Sequence, residues 1–180
     1  MIRIILIYGI LAGAVIIGSL IAGLVLNARH FPEWAGYLIM LAALSLIFVG
    51  VKRYRDTMKG GVIRFFEAAG VGLGIAAVAS IIYVAGWEIY LWATDYSFFA
   101  AYMKGAIAAK KAAGASPAEL AKLTADMTAM AKAYANPLRR MGITLLEILP
   151  VGVAVAIFSA GLLRFSRLLP ARTHLPKSSP

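Results

Sequence analysis

The chain has 180 residues, 62% hydrophobic and 14% charged, with a formal net charge of +10. Soluble domains average about 45–50% apolar and about 25% charged residues, so this composition excludes a disordered chain and points away from a soluble one. Cysteine is absent, which excludes disulfides, Cys-ligated zinc, iron–sulfur clusters and thiol catalysis within the chain.

Residues 4–26 carry no charge and exceed the roughly 20 apolar residues that cross a bilayer. A signal peptide would have a shorter apolar region and a small-x-small cleavage site. Leu26-Asn27-Ala28 is a poor site, so an uncleaved first span is expected. The connector 27–33 holds one basic residue, Arg29, and Pro32 stops the helix. The two histidines, His30 and His174, both fall outside the apolar blocks. A His-ligated haem or chlorophyll within a span is therefore not supported.

Residues 34–51 form the second apolar block, with Trp34 and Tyr37 suited to an interfacial belt. The connector 52–64 that follows is basic: Lys52, Arg53, Arg55, Lys59 and Arg64. Lys52, Arg53 and Arg55 beside an interface are candidates for anionic lipid headgroups, each worth about 1 kcal/mol there. A plain topology signal is the simpler reading of the same run. Gly60-Gly61 marks the turn into the third span, and Glu67 is expected to pair with nearby Arg64. The third span centres on 68–87 and extends past Glu88 toward Trp92, since no breaker intervenes.

The segment 95–140 is too lysine-rich to be a span. Phe99, Tyr102, Ala106, Ala109 and Ala113 step by three and four, as do Leu120, Leu123, Met127, Met130 and Tyr134. Gly114 lies between the two runs. Ser116-Pro117-Ala118-Glu119 has the form of a capping box with proline at the first helical position. An antiparallel helical hairpin is expected, ended by Asn136-Pro137. The fourth span covers 141–163 and contains Glu147 and Pro150. The tail 164–180 holds Arg164, Arg167, Arg172 and Lys177.

The pattern predicts an all-α polytopic membrane protein with four transmembrane helices and an outer, periplasmic, antiparallel hairpin. Its blocks are 1–94, 95–140, 141–163 and 164–180. The basic connector 52–64 places both termini on the cytoplasmic side by the positive-inside rule. Small residues at close spacing (Gly9, Gly13, Ala14, Gly18 and Ala22; Gly70 and Gly74; Gly152, Ala156 and Ala160) predict close helix packing.

A carboxylate within a span is a functional candidate. Arg140, Thr144 and Glu147 share one face of the fourth helix, and Glu88 and Asp95 share one face at the end of the third. Glu88, Asp95, Arg140, Thr144 and Glu147 form the expected ligand-binding set, with Arg139 nearby. Three readings compete: Glu147 pairs internally and fixes helix register; the cluster binds a lipid headgroup, cation or small polar ligand; or it relays protons. Between Glu67 and Glu88 only Ser80 and Tyr83 offer polar groups, which argues against a pump. No metal-ligand spacing, phosphate loop or His beside a Ser is present. No catalytic residue, cofactor, metal or nucleic-acid partner is expected.

Several stretches together resemble one family. They are Tyr8-Gly9, the run from Phe48 through Val51-Lys52-Arg53-Tyr54-Arg55-Asp56 with Gly60-Gly61 after it, Trp87-Glu88, Asn136-Pro137-Leu138, and Glu147-Ile148-Leu149-Pro150-Val151-Gly152. Their pattern resembles the bacterial membrane family catalogued as domain of unknown function 4199, over nearly the whole chain up to Arg172. The resemblance implies a bacterial inner-membrane protein with four spans and an outer helical insertion; it supplies no activity, because none is established for the family. The expected role is a non-catalytic accessory or structural subunit, with membrane lipids and other membrane subunits or a second copy as partners. A small transporter, or a lipid- or cation-binding protein using the acidic–arginine cluster, is the alternative.

Overall fold

The computed structural model describes residues 1–26 and 33–165. Pro32, both histidines, and the tail residues Arg167, Arg172 and Lys177 lie outside the described residues. Six helices follow in order: α1 (Ile2–Val25), α2 (Glu33–Met58), α3 (Phe65–Ala93), α4 (Phe98–Ala112), α5 (Pro117–Ala135) and α6 (Pro137–Leu163). No strand occurs among the described residues. Four helices, α1, α2, α3 and α6, are long and apolar enough to cross a membrane. The chain divides into two compact units, Met1–Tyr83 with Glu147–Pro180, and Val84–Leu146.

In the first unit α3 is the central helix, because small residues let its neighbours approach it closely. A Cβ on Gly9 of α1 would lie 2.5 Å from the Val78 Cβ, and one on Gly13 would lie 2.7 Å from the Ala79 carbonyl oxygen. A Cβ on Gly50 of α2 would meet Ile75 at 2.6 Å. Against α6 the pairs are Gly72 with Ala156 and Ala76 with Gly152, each 3.0 Å from a built Cβ. As numbers rise along α3 they fall along α6, so the two helices run antiparallel. Close approach is the main source of helix association where lipid is as apolar as the side chains. The expected small-residue faces are thus used selectively. Gly18 and Gly70 have nothing within 4 Å of a built Cβ.

Helix α2 runs through the basic run to Met58, longer than the expected 34–51, because no breaker occurs before Gly60-Gly61. Both glycines take positive φ, 61° and 91°. The Gly61 N–H returns to the Arg55 carbonyl at 3.1 Å and closes the helix. Glu67, expected to pair with Arg64, instead takes Lys59 Nζ at 2.6 Å and the Tyr54 hydroxyl at 3.1 Å. Arg64 is its helical neighbour, but the chain reversal at the two glycines brings Lys59 and Tyr54 nearer.

In the second unit α4 and α5 form a helical hairpin. Helix α4 ends in a Schellman motif: Gly114, at φ 81°, donates to Lys111 O, and Ala115 N–H donates to Lys110 O. The capping box is present. Glu119 N–H donates to Ser116 Oγ, and the Glu119 carboxylate accepts from the Ser116 N–H at 2.8 Å. The stripe on α5 is half-buried at Leu120, Leu123, Met127 and Tyr134, while Met130 is exposed. On α4 the half-buried residues are Phe98, Phe99, Met103, Ala106 and Ile107, and the expected Tyr102, Ala109 and Ala113 are exposed. The α4 stripe is therefore turned by about one residue, with the larger Met103 and Ile107 half-buried in place of Tyr102 and Ala109. Helix α6 begins at Pro137, so 137–140, expected to close the outer segment, are its first turn.

The glycine approach yields a direct test. Gly13→Leu should destabilise the protein by about 1–3 kcal/mol through overpacking, whereas Gly18→Leu should be nearly neutral. Thermal unfolding of the purified full chain in lipid nanodiscs measures both. A second test concerns the capping box. The Ser116 backbone N–H and hydroxyl hold the Glu119 carboxyl below the ordinary glutamate range. A depressed folded value means that the box contributes at neutral pH and is lost as pH falls through that value. Amide-exchange protection in the first turn of α5 should fall on acidification, and Ser116→Ala should flatten that dependence.

Candidate functional site

Helix α3 carries Glu88 near its end, and α6 carries Arg140 in its first turn. The two meet in a bidentate ion pair: Arg140 Nε donates to Glu88 Oε1 at 2.7 Å, and Nη2 to Oε2 at 2.5 Å. Both side chains are largely buried, 5% exposed for Arg140 and 16% for Glu88. Arg140 Nη1 also donates to the Tyr134 carbonyl at 3.0 Å. The planar guanidinium matches a carboxylate in two parallel bonds, a geometry that lysine cannot supply.

The loop after α3 completes this arrangement. Tyr96 N–H donates to Leu91 O and Asp95 N–H to Trp92 O, which makes Asp95 the left-handed residue of a second Schellman motif, at φ 51°. Asp tolerates that conformation better than most residues. Tyr96 is left-handed too, at φ 53°, and its ring lies 5.0 Å from the Arg140 guanidinium carbon. A tyrosine there costs about 1–2 kcal/mol, which the cation–π contact offsets in part. Beside it, Trp87 Nε1 donates to the Tyr134 hydroxyl at 2.6 Å, and Trp87 meets Phe98 edge-on at 4.9 Å.

Of the expected cluster, Glu88 and Arg140 come together. Thr144 is buried, and its hydroxyl donates to the Arg140 carbonyl one turn back. Asp95 is exposed and serves the turn, and Arg139 is exposed with its N–H on Asn136 Oδ1. In the first unit Glu147 Oε2 accepts from the Tyr83 hydroxyl at 3.2 Å. Tyr83, one of the two polar groups between Glu67 and Glu88, is thus the third-span donor, a neutral phenol five residues before Glu88. The Glu147 side chain remains exposed on the bundle surface.

The basic run divides. Arg55 is fully buried: Nε donates to Asp56 Oδ1 at 2.7 Å and Nη1 to the Leu163 carbonyl at 3.5 Å, at the end of α6. From that position it does not present a surface to a headgroup. Lys52 is half-buried and pairs with Asp56 at 2.6 Å, the i,i+4 partner on its own helix. Arg53 stays exposed, with Nη1 3.5 Å from the Tyr8 hydroxyl. Asp56 is the signal in the sequence that Arg55 and Lys52 have an internal use. Among the described residues no three His, Asp or Glu side chains gather as a metal site.

The ion pair can be separated from a ligand site by mutation. Arg140→Met alone should cost about 3–5 kcal/mol, because it strands a mostly buried carboxylate. Adding Glu88→Leu should recover most of that loss. Equilibrium unfolding in mild detergent measures the cycle.

Against known proteins, the family model described as protein of unknown function (DUF4199) matches residues 6–164. No curated protein and no solved structure matches the chain.

Proposed function

The chain belongs to the family of unknown function DUF4199, and from that premise we propose that it is a non-catalytic accessory or structural subunit of a larger complex in the bacterial inner membrane. The observation that carries this reading is the Glu88–Arg140 pair. The acid and the arginine best placed to bind a ligand are spent on each other and on the Tyr134 carbonyl. They hold α3 and α6 together.

The hairpin adds support. Neither α4 nor α5 has a buried residue, and Tyr102 and Met130 are about half exposed. An amphipathic element with that little core of its own suits docking against another subunit. The side of the membrane follows from charge. Lys52, Arg53, Arg55, Lys59 and Arg64 flank the turn between α2 and α3, which favours the cytoplasm for that turn and for both termini, and the periplasm for the hairpin.

A second reading, a small transporter or a lipid- or cation-binding protein, draws on Glu147. Its Oε1 has no hydrogen-bond partner among the described residues, and Arg53 is exposed for a headgroup.

Gentle extraction followed by native mass spectrometry decides between them. The proposal expects a heteromeric assembly of fixed stoichiometry. A chain that retains only lipid or a cation, and loses it in Glu147→Gln, would support the second reading instead. For orientation, single cysteines at Lys59 and Lys110 should label from opposite sides of the membrane. Labelling from one side would remove the four-span topology.

A further inference from the structure

Helix α6 is the least buried of the four spans and α3 the most. Within the first unit, the open side of α6 carries Glu147, Pro150, Ala154, Ile157 and Gly161. Their spacing of three and four residues puts them on one stripe. The first four are exposed, and a Cβ built on Gly161 has nothing within 4 Å. Glu147 is the polar member of an otherwise apolar stripe. It lies about 4.5 Å of rise from the middle of α6, deep inside a hydrocarbon layer whose half-thickness is about 15 Å. Tyr83 satisfies Oε2, and Oε1 has no partner among the described residues. Lipid offers none either.

We propose that this stripe is the seam of a homodimer, in which the Glu147 carboxyls of two copies hydrogen-bond each other. The occupant follows from symmetry and chemistry. Two copies inserted in the same topology are parallel in the membrane. A two-fold axis along the membrane normal then pairs each stripe residue with its own counterpart at the same depth. A protonated carboxyl both donates and accepts, so it is complementary to itself. Ala154 and Gly161, one heptad apart, allow the backbones to approach. The three-four spacing is that of a left-handed helix pair, where one polar seam position fixes the register. The inference takes Glu147 as a packing group, in line with the structural-subunit reading and against the ligand-binding one, and it adds what covers it.

The chain has no native cysteine, so single cysteines report without background. Ala154→Cys and Ile157→Cys are placed on the seam, and Leu41→Cys on the exposed face of α2 is the control. Full-length protein in native membranes is oxidised and the cross-linked products are resolved. Dimers are expected at 154 and 157, about tenfold above the control. Glu147→Leu should lower them about tenfold, the effect of one interhelical hydrogen bond in lipid. Glu147→Gln should keep them, because an amide also donates and accepts. Cross-linking no greater than at Leu41, or equal yields from the Leu and Gln variants, overturns the seam. Cross-linking of the seam to a different protein also overturns it, while leaving the accessory-subunit reading intact. A seam dimer that joins no larger assembly leaves the seam standing and removes that reading.

Discussion

A carboxylate or guanidinium within a bilayer has no solvent to turn to, so the protein must supply its partner or leave the group at great cost. That constraint organises the polar residues of this chain. Arg140 takes Glu88 in two bonds, Tyr134 in a third, and the face of Tyr96 beside them. Tyr83 takes Glu147. Arg55 takes Asp56 and the last carbonyl of α6. Each arrangement ties one helix end or face to another. A buried pair is weak evidence for net stability, since an apolar replacement of like volume is often as stable. Its value here lies in register: Glu88 and Arg140 meet in one pairing of α3 with α6.

The apolar side of the same economy is close approach. With no hydrophobic drive between helices in lipid, association depends on packing distance. Helix α3 meets Gly9 and Gly13 of α1, Gly50 of α2, and Gly152 with Ala156 of α6. The antiparallel rungs Gly72–Ala156 and Ala76–Gly152 lead toward Tyr83–Glu147 in the same unit. Small residues set the distance at which that hydrogen bond forms.

Much of this is legible in the residues alone. Long uncharged blocks, Gly114 and the Ser116–Glu119 box locate five of the six helices to within a few residues, because each signal is local, while α2 runs seven residues past its expected end at 51, to Met58. Family membership was legible in the Lys-Arg-Tyr-Arg-Asp run and the Glu-Ile-Leu-Pro-Val-Gly run, and the match over residues 6–164 shows it. Pairing across helices was harder. Glu88 and Arg140, set in one expected cluster although they lie on different helices, do meet, but the same cluster includes Asp95, whose place is a left-handed turn. Arg55 reads as an interfacial cation until the fold buries it beneath the end of α6. The α4 stripe was misplaced because alanines and Met103 with Ile107 present nearly the same three-four pattern. Spacing alone does not decide between them; the packing of α4 in the folded chain does.

The arrangement as a whole turns on Glu88 at the end of α3 and Arg140 in the first turn of α6 binding each other. Dipolar-recoupling solid-state NMR on the full-length protein in lipid bilayers reads this directly, between the labelled Glu88 carboxyl carbon and the Arg140 guanidinium nitrogens. A separation of about 4 Å or less, as for ion-paired groups, is the result the account requires. The absence of measurable coupling, with Arg140 rigid in the same sample, would contradict it.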